Sequence, residues 1–155
     1  MTIHMKNDSG FTIIELLTVV TIIGILAAIA FIGYGQFVER ARVVSAMNEV
    51  INITKDIRIY MIDQILPIGA GPVGNFFPQY SDRDPWGNFY QYQHGVPGAA
   101  RLKSDGITPL NSEFDVYSLG RDGLTNPNIA HPDSLDDIIR ADDDQFVGKA
   151  ATYPY

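Results

Sequence analysis

The sequence contains no cysteine. That excludes disulfides and thiol catalysis, and it deprives a structural zinc site of its usual thiolate ligands. Histidine is almost as scarce. His4, His94 and His131 lie far apart, without metal-ligand spacing. There is no nucleophile elbow, no P-loop and no dinucleotide fingerprint, so the chain reads as a non-enzyme. Positive charge is short as well: 11 Lys and Arg stand against 18 Asp and Glu, for a net charge of -7. An acidic chain disfavours contact with a phosphate backbone, and no nucleic-acid partner is expected. Charge of either sign is scarcest between Phe11 and Ile32, where only Glu15 carries one.

As helix, those 22 residues span roughly 33 Å, about the hydrocarbon thickness of a bilayer. A carboxylate inside such a segment costs at least ~2.5 kcal/mol. Glu15 is therefore expected to be functional and to meet its partner charge on another copy of the chain. Three other readings compete: a secretory signal cleaved near Ala28-Ile29-Ala30, a plain membrane anchor, and a buried core helix. Glu15 in the apolar region, and a run longer than a signal needs, weigh against the first.

Roughly 120 residues follow, enough for one small domain. Val43, Met47, Val50, Ile53, Ile57 and Tyr60 recur at spacings of three and four, an amphipathic stripe. Pro67 and the glycines behind it stop the helix. One helix is predicted from about Thr12 to about Gln64, its first half in lipid or a filament core, its second half against a globular domain. Ile65 to Asp84 reads as loop. Trp86-Gly87-Asn88 reads as a turn, Tyr90 to Gln93 as a half-buried strand, and Phe114 to Leu119 as a second strand with Phe114, Val116 and Ser118 on one face. Arg101 to Lys103 reads as a short strand between them, and the chain beyond Gly120 as loop with a turn of helix at Ser134 to Arg140. The fold class is α+β: a long N-terminal helix packed by its second half on a small antiparallel sheet, with a C-terminal loop region. Glu113 to Val147 holds nine acidic and two basic residues and so carries the whole net charge. Such a stretch calls for solvation or a cation; Asp142-Asp143-Asp144 reads as solvated surface.

Gly10-Phe11-Thr12-Ile13-Ile14-Glu15-Leu16-Leu17, followed by an Ile/Val/Ala/Gly run, resembles the type IV pilin family. The resemblance implies a leader at 1–10, cut after Gly10 by a prepilin peptidase that methylates Phe11. A transmembrane and filament-core helix at 11–33 and a periplasmic pilin-like domain at 34–155 would follow. It implies that Glu15 neutralises the N-terminal amine of a neighbouring subunit. Phe11 and Glu15, four apart on one helix face, would then pair only at the correct axial offset and so set the register between subunits. The family's helix-bending proline is replaced by Ile32, leaving Gly24 and Gly33-Gly35 as the places for a kink or melted turn. Arg40 and Arg42 taken alone would hold the C-terminal side in the cytoplasm; the resemblance implies the reverse.

Three further blocks are similar to the major pseudopilin branch of type II secretion systems. They are Asp84-Pro85-Trp86-Gly87-Asn88 with Tyr90-Gln91-Tyr92, then Asp115-Val116-Tyr117-Ser118-Leu119-Gly120-Arg121-Asp122-Gly123, then Asp136-Asp137-Ile138. The segment from Gly123 to Asp133 and the tail after Ile138 are longer than in compact members. This branch implies a subunit of a helical homopolymer held at first in the bacterial inner membrane, its C-terminal domain in the periplasm, and later in a periplasmic or extracellular filament. Its implied partners are other copies of itself, minor pseudopilins, the prepilin peptidase and an inner-membrane assembly platform. It also implies one calcium ion in the C-terminal loop, held by Asp122, Asp136 or Asp137, Ser134, and the carbonyls of Leu119 and Leu124, as 6–8 hard oxygen ligands require. The rival functions are a surface or DNA-uptake pilin and a membrane-anchored calcium-binding module.

Overall fold

The computed structural model describes residues 10–96 and 100–154, with the backbone alone at 31–33. The expected leader up to Ser9 lies outside the described residues. The chain divides into two compact units, Met1–Glu39 and Arg40–Tyr155. Helix α1 (Ile13–Asp63) begins in the first and continues as the opening element of the second.

Over Ile13–Ala30 the helix is apolar save for Glu15 and two threonines, and it buries none of its side chains. Ile13–Ala30 is long and apolar enough to cross a membrane, alone among the described residues in this. Its two threonine hydroxyls are satisfied within the helix. The Thr18 and Thr21 hydroxyls donate to the carbonyls of Ile14 and Leu17 at 2.7 and 2.8 Å. A helix that answers its own hydrogen bonds suits surroundings that offer none. No melted turn occurs at Gly24 or at Gly33-Gly35, where helix is continuous. A glycine costs about 1 kcal/mol in a helix interior, too little to interrupt so long a run.

In the second unit the predicted stripe faces the core. Val50, Ile53 and Ile57 are buried together with Ala46, and Val43 and Met47 are partly buried beside them. Each large side chain buried in this way contributes about 1.5–3 kcal/mol. Tyr60 lies at the margin, edge-on to Phe77.

Against this face lies a five-stranded meander. Strands β1 (Gly69–Pro72), β2 (Gln91–His94), β3 (Asp115–Ser118), β4 (Ile138–Ala141) and β5 (Phe146–Lys149) neighbour one another in chain order, every pair antiparallel. Alternation along the strands separates two cores. Tyr92, Val116 and Ile138 join the helix face, while Ile139 and Ala141 join Leu110, Ile129, Ala150 and Tyr153 on the other side, with Tyr117 packed against them.

Two strands coincide with those expected. Three are new. β1 lies in what reads as a Gly/Pro loop, and it is an edge strand, where proline is tolerated. β4 and β5 replace the loop and helical turn expected at Ser134 to Arg140, where only a 3-10 turn at Pro132–Ser134 precedes the strand. The expected strand at Arg101 to Lys103 is reduced to isolated bridges from Leu102 to Pro109 and Asn128.

Candidate functional site

Gly10 and Phe11 are exposed and precede the helix. A Cβ at Gly10 would meet nothing within 4 Å, so packing does not demand glycine there, and the Gly10–Phe11 peptide bond is open to an enzyme. Phe11 does not share a helical face with Glu15 as expected, because Thr12 is the N-cap. Glu15 Oε2 accepts from the Thr12 amide at 2.9 Å and from its hydroxyl at 2.7 Å, and the Glu15 amide donates back to Thr12 Oγ1 at 3.4 Å. This is a capping box, legible as Thr-x-x-Glu. It occupies Glu15 while the chain is uncleaved and Phe11 has no free amine.

The three blocks of the C-terminal domain meet one another. Asp84 is buried; its Oδ1 accepts from the amides of Trp86 and Asn88, and its Oδ2 from the Ser118 hydroxyl at 2.6 Å. The Asn88 side chain donates to the Gly120 carbonyl at 2.8 Å. Gly120 has φ 65°, and a Cβ there would lie 2.5 Å from the Asp136 carbonyl oxygen, so only glycine fits. Asp136 Oδ2 accepts from the amides of Arg121 and Asp122 at 2.7 and 3.0 Å. The motifs thus form one polar knot at one end of β3.

The oxygen atoms expected to hold calcium are brought to the same region, but they face protein donors. Asp136 Oδ2 takes the two amides just named, and Asp122 Oδ1 takes the Leu124 amide at 2.8 Å. Ser134 Oγ is engaged by the amide and carbonyl of Asn126. Asp137, fully buried, accepts from Arg101 Nη2 and Thr125 Oγ1, both at 2.7 Å. Its Oδ1 is buried without a hydrogen-bond partner. No group of three or more acidic or histidine side chains converges on a metal position among the described residues. The donor set therefore does not fit a hard cation that needs 6–8 oxygens. Burial raises the Asp137 carboxyl to about 6 against the opposing pull of Arg101.

Sequence reasoning passed over Arg101, Arg140 and the role of Asp142 to Asp144. Both arginines are buried, and their guanidinium carbons lie 4.3 Å from the ring centroids of Tyr117 and Phe114 respectively. The three aspartates form the β4–β5 turn with φ of 51°, 52° and 81°. They sit at the surface, yet each carboxylate is engaged. Asp142 accepts from Lys103 and Tyr153, Asp143 from the amide and hydroxyl of Ser112, and Asp144 from Arg58 and Arg140. A run of like charge hid these separate partners.

Residues 5–31 match the family model described as the prokaryotic N-terminal methylation motif. The type II secretion system core protein G of Pseudomonas aeruginosa is 31% identical over 136 residues, covering 76% of this chain and 87% of that protein. The chain belongs to the core protein G family. The core protein G of Klebsiella pneumoniae is 25% identical across 76% of this chain and 99% of its own length. A probable minor fimbrial protein of Dichelobacter nodosus is 42% identical over 71 residues, only 46% of this chain. Fimbrial likeness thus spans part of the chain, whereas likeness to core protein G spans most of it. No solved structure matches.

Proposed function

We propose that this chain is the main structural subunit of a type II secretion pseudopilus, a pilin-like filament built from copies of itself. The observation that carries this reading is the methylation motif on the exposed apolar stretch Ile13–Ala30, whose sole charge, at Glu15, sits in the first turn of helix α1. In the precursor this helix rests in the inner membrane, with the Arg40–Tyr155 unit in the periplasm. A prepilin peptidase cuts the exposed Gly10–Phe11 bond and methylates the new amine. Glu15 then leaves Thr12 and pairs with the amine of a neighbour, which removes two charges from an apolar filament core. Other pseudopilins and an assembly platform in the inner membrane complete the machinery. A surface pilus is the weaker reading, because the fimbrial likeness is confined to part of the chain.

The test is mass analysis of the native protein together with Glu15→Ala. The mature chain is expected to begin at N-methylated Phe11, and the variant to be processed normally but absent from sheared or overexpressed fibres. Normal fibres from Glu15→Ala, or a mature start at Phe31, would sink the reading.

A further inference from the structure

We propose that the guanidinium of Arg101 is this chain's built-in cation, closing the C-terminal loop in place of a bound divalent ion. The stretch Gly120–Asp137 contains four aspartates and one arginine, so it needs positive charge from elsewhere. Arg101 brings it from a distant part of the sequence. Its side chain is 2% exposed. Nη2 donates to Asp137 Oδ2 at 2.7 Å, Nη1 donates to Thr125 Oγ1, and Thr125 donates in turn to the same carboxylate oxygen. The three groups tie the two ends of the Thr125–Asp137 loop to each other. Tyr117 of β3 forms the floor, 4.3 Å from the guanidinium carbon, an attraction that strengthens on desolvation.

The arginine is held in place by its own backbone. The Arg101 amide donates to Asp115 Oδ2 at 3.1 Å and its carbonyl accepts from the Leu110 amide at 2.7 Å. The next residue, Leu102, exchanges hydrogen bonds with Pro127 and Ile129 inside the loop. A guanidinium is always charged and presents several donors in a plane, which suits a buried oxygen-rich site. Asp122, Ser134 and Asp136 each turn an oxygen to a backbone amide, and no three acidic or histidine side chains among the described residues converge on a metal position. Arg101 therefore supplies the charge of a metal ion without the metal's demand for a full oxygen shell. The inference stands apart from the filament reading, since assembly and ion dependence are measured separately.

The test uses the full chain in detergent micelles, with thermal unfolding followed by circular dichroism in millimolar calcium and in excess chelator, and calorimetric titration with calcium. The wild-type midpoint is expected to be the same in both media, with no saturable calcium heat. Arg101→Gln strands Asp137, whose two oxygens then face no cation. Its midpoint is expected to drop in chelator and to recover in part with calcium. A wild-type midpoint that falls on chelation, stoichiometric calcium binding by the wild type, or an Arg101→Gln midpoint equal to wild type in chelator would each overturn the proposal. If Arg101→Gln folds in neither medium, Arg101→Lys decides. Chelator-resistant folding of that variant sustains the proposal, and chelator-sensitive folding overturns it.

Discussion

Two carboxylates, Glu15 and Asp137, show how a single residue is set by its surroundings. Glu15 completes a capping box with Thr12, a local bond legible in Thr-x-x-Glu, although a charge in an apolar run is the more conspicuous signal. Asp137 is set by burial, which outweighs Arg101 and raises its carboxyl to about 6. A group whose folded value is raised contributes stability that is complete below its unfolded value, near 3.9, and lost as pH rises through about 6. Burial raises Asp115 in the same direction. The surface aspartates work the other way. Hydrogen bonds from Lys103 and Tyr153 lower Asp142, and those from Ser112 lower Asp143. Their contribution is present above about 4 and disappears as pH falls through their lowered values. The melting midpoint is therefore expected to peak in mild acid, near pH 5. It should decline toward pH 7 and fall steeply below pH 4. Asp137→Asn mimics the protonated form and should flatten the limb between pH 5 and 7, as a midpoint series against pH would record. An unflattened limb would assign the decline to another group.

At the scale of elements, the β4–β5 hairpin is the most informative. Its turn places three aspartates in the left-handed region, where a side-chain-bearing residue costs roughly 1–2 kcal/mol. The network around Arg58, Lys103, Ser112, Tyr153 and Arg140 holds them there. At Asp143, alanine loses both bonds to Ser112 and keeps the backbone cost, whereas glycine loses the bonds but relieves that cost. Asp143→Ala is expected to destabilise the domain by about 1–2 kcal/mol more than Asp143→Gly, as measured by denaturant unfolding. Equal effects would mean the turn bears no strain. The same hairpin explains what the sequence concealed. β4 reads Ile-Ile-Arg-Ala and is buried on both faces, so it lacks the alternation that revealed Tyr90 to Gln93 and Phe114 to Leu119. β1 reads Gly-Ala-Gly-Pro and lacks strand formers altogether. The helix was legible from end to end because its period is long and its punctuation at Thr12 and Pro67 is clear. The polar knot was legible as motifs, but its closure by Arg101 joins residues 36 apart in sequence, and no local pattern encodes that.

At the scale of the whole molecule, the first buried side chain among the described residues is Ala46, and the contacts separate Arg40–Tyr155 as a unit. A fragment starting at Arg40 is expected to be soluble without detergent and monomeric by light scattering. Its thermal midpoint should lie close to that of the full chain in micelles. Aggregation of the fragment, or a large fall in its midpoint, would show that the apolar helix contributes to folding of the domain as well as to anchoring.

The Asp84–Asn88 turn has an optical consequence. It holds the only tryptophan of the chain, Trp86, half-buried against the core and bonded through its amide to Asp84. The apolar stretch 13–39 has no indole and stays dark under selective excitation at the red edge of protein absorption. Emission from this one ring therefore watches the domain alone. A shift in its colour marks loosening of the turn. An unchanged spectrum while fibres dissociate would place the event between helices, with no label having been added to the protein.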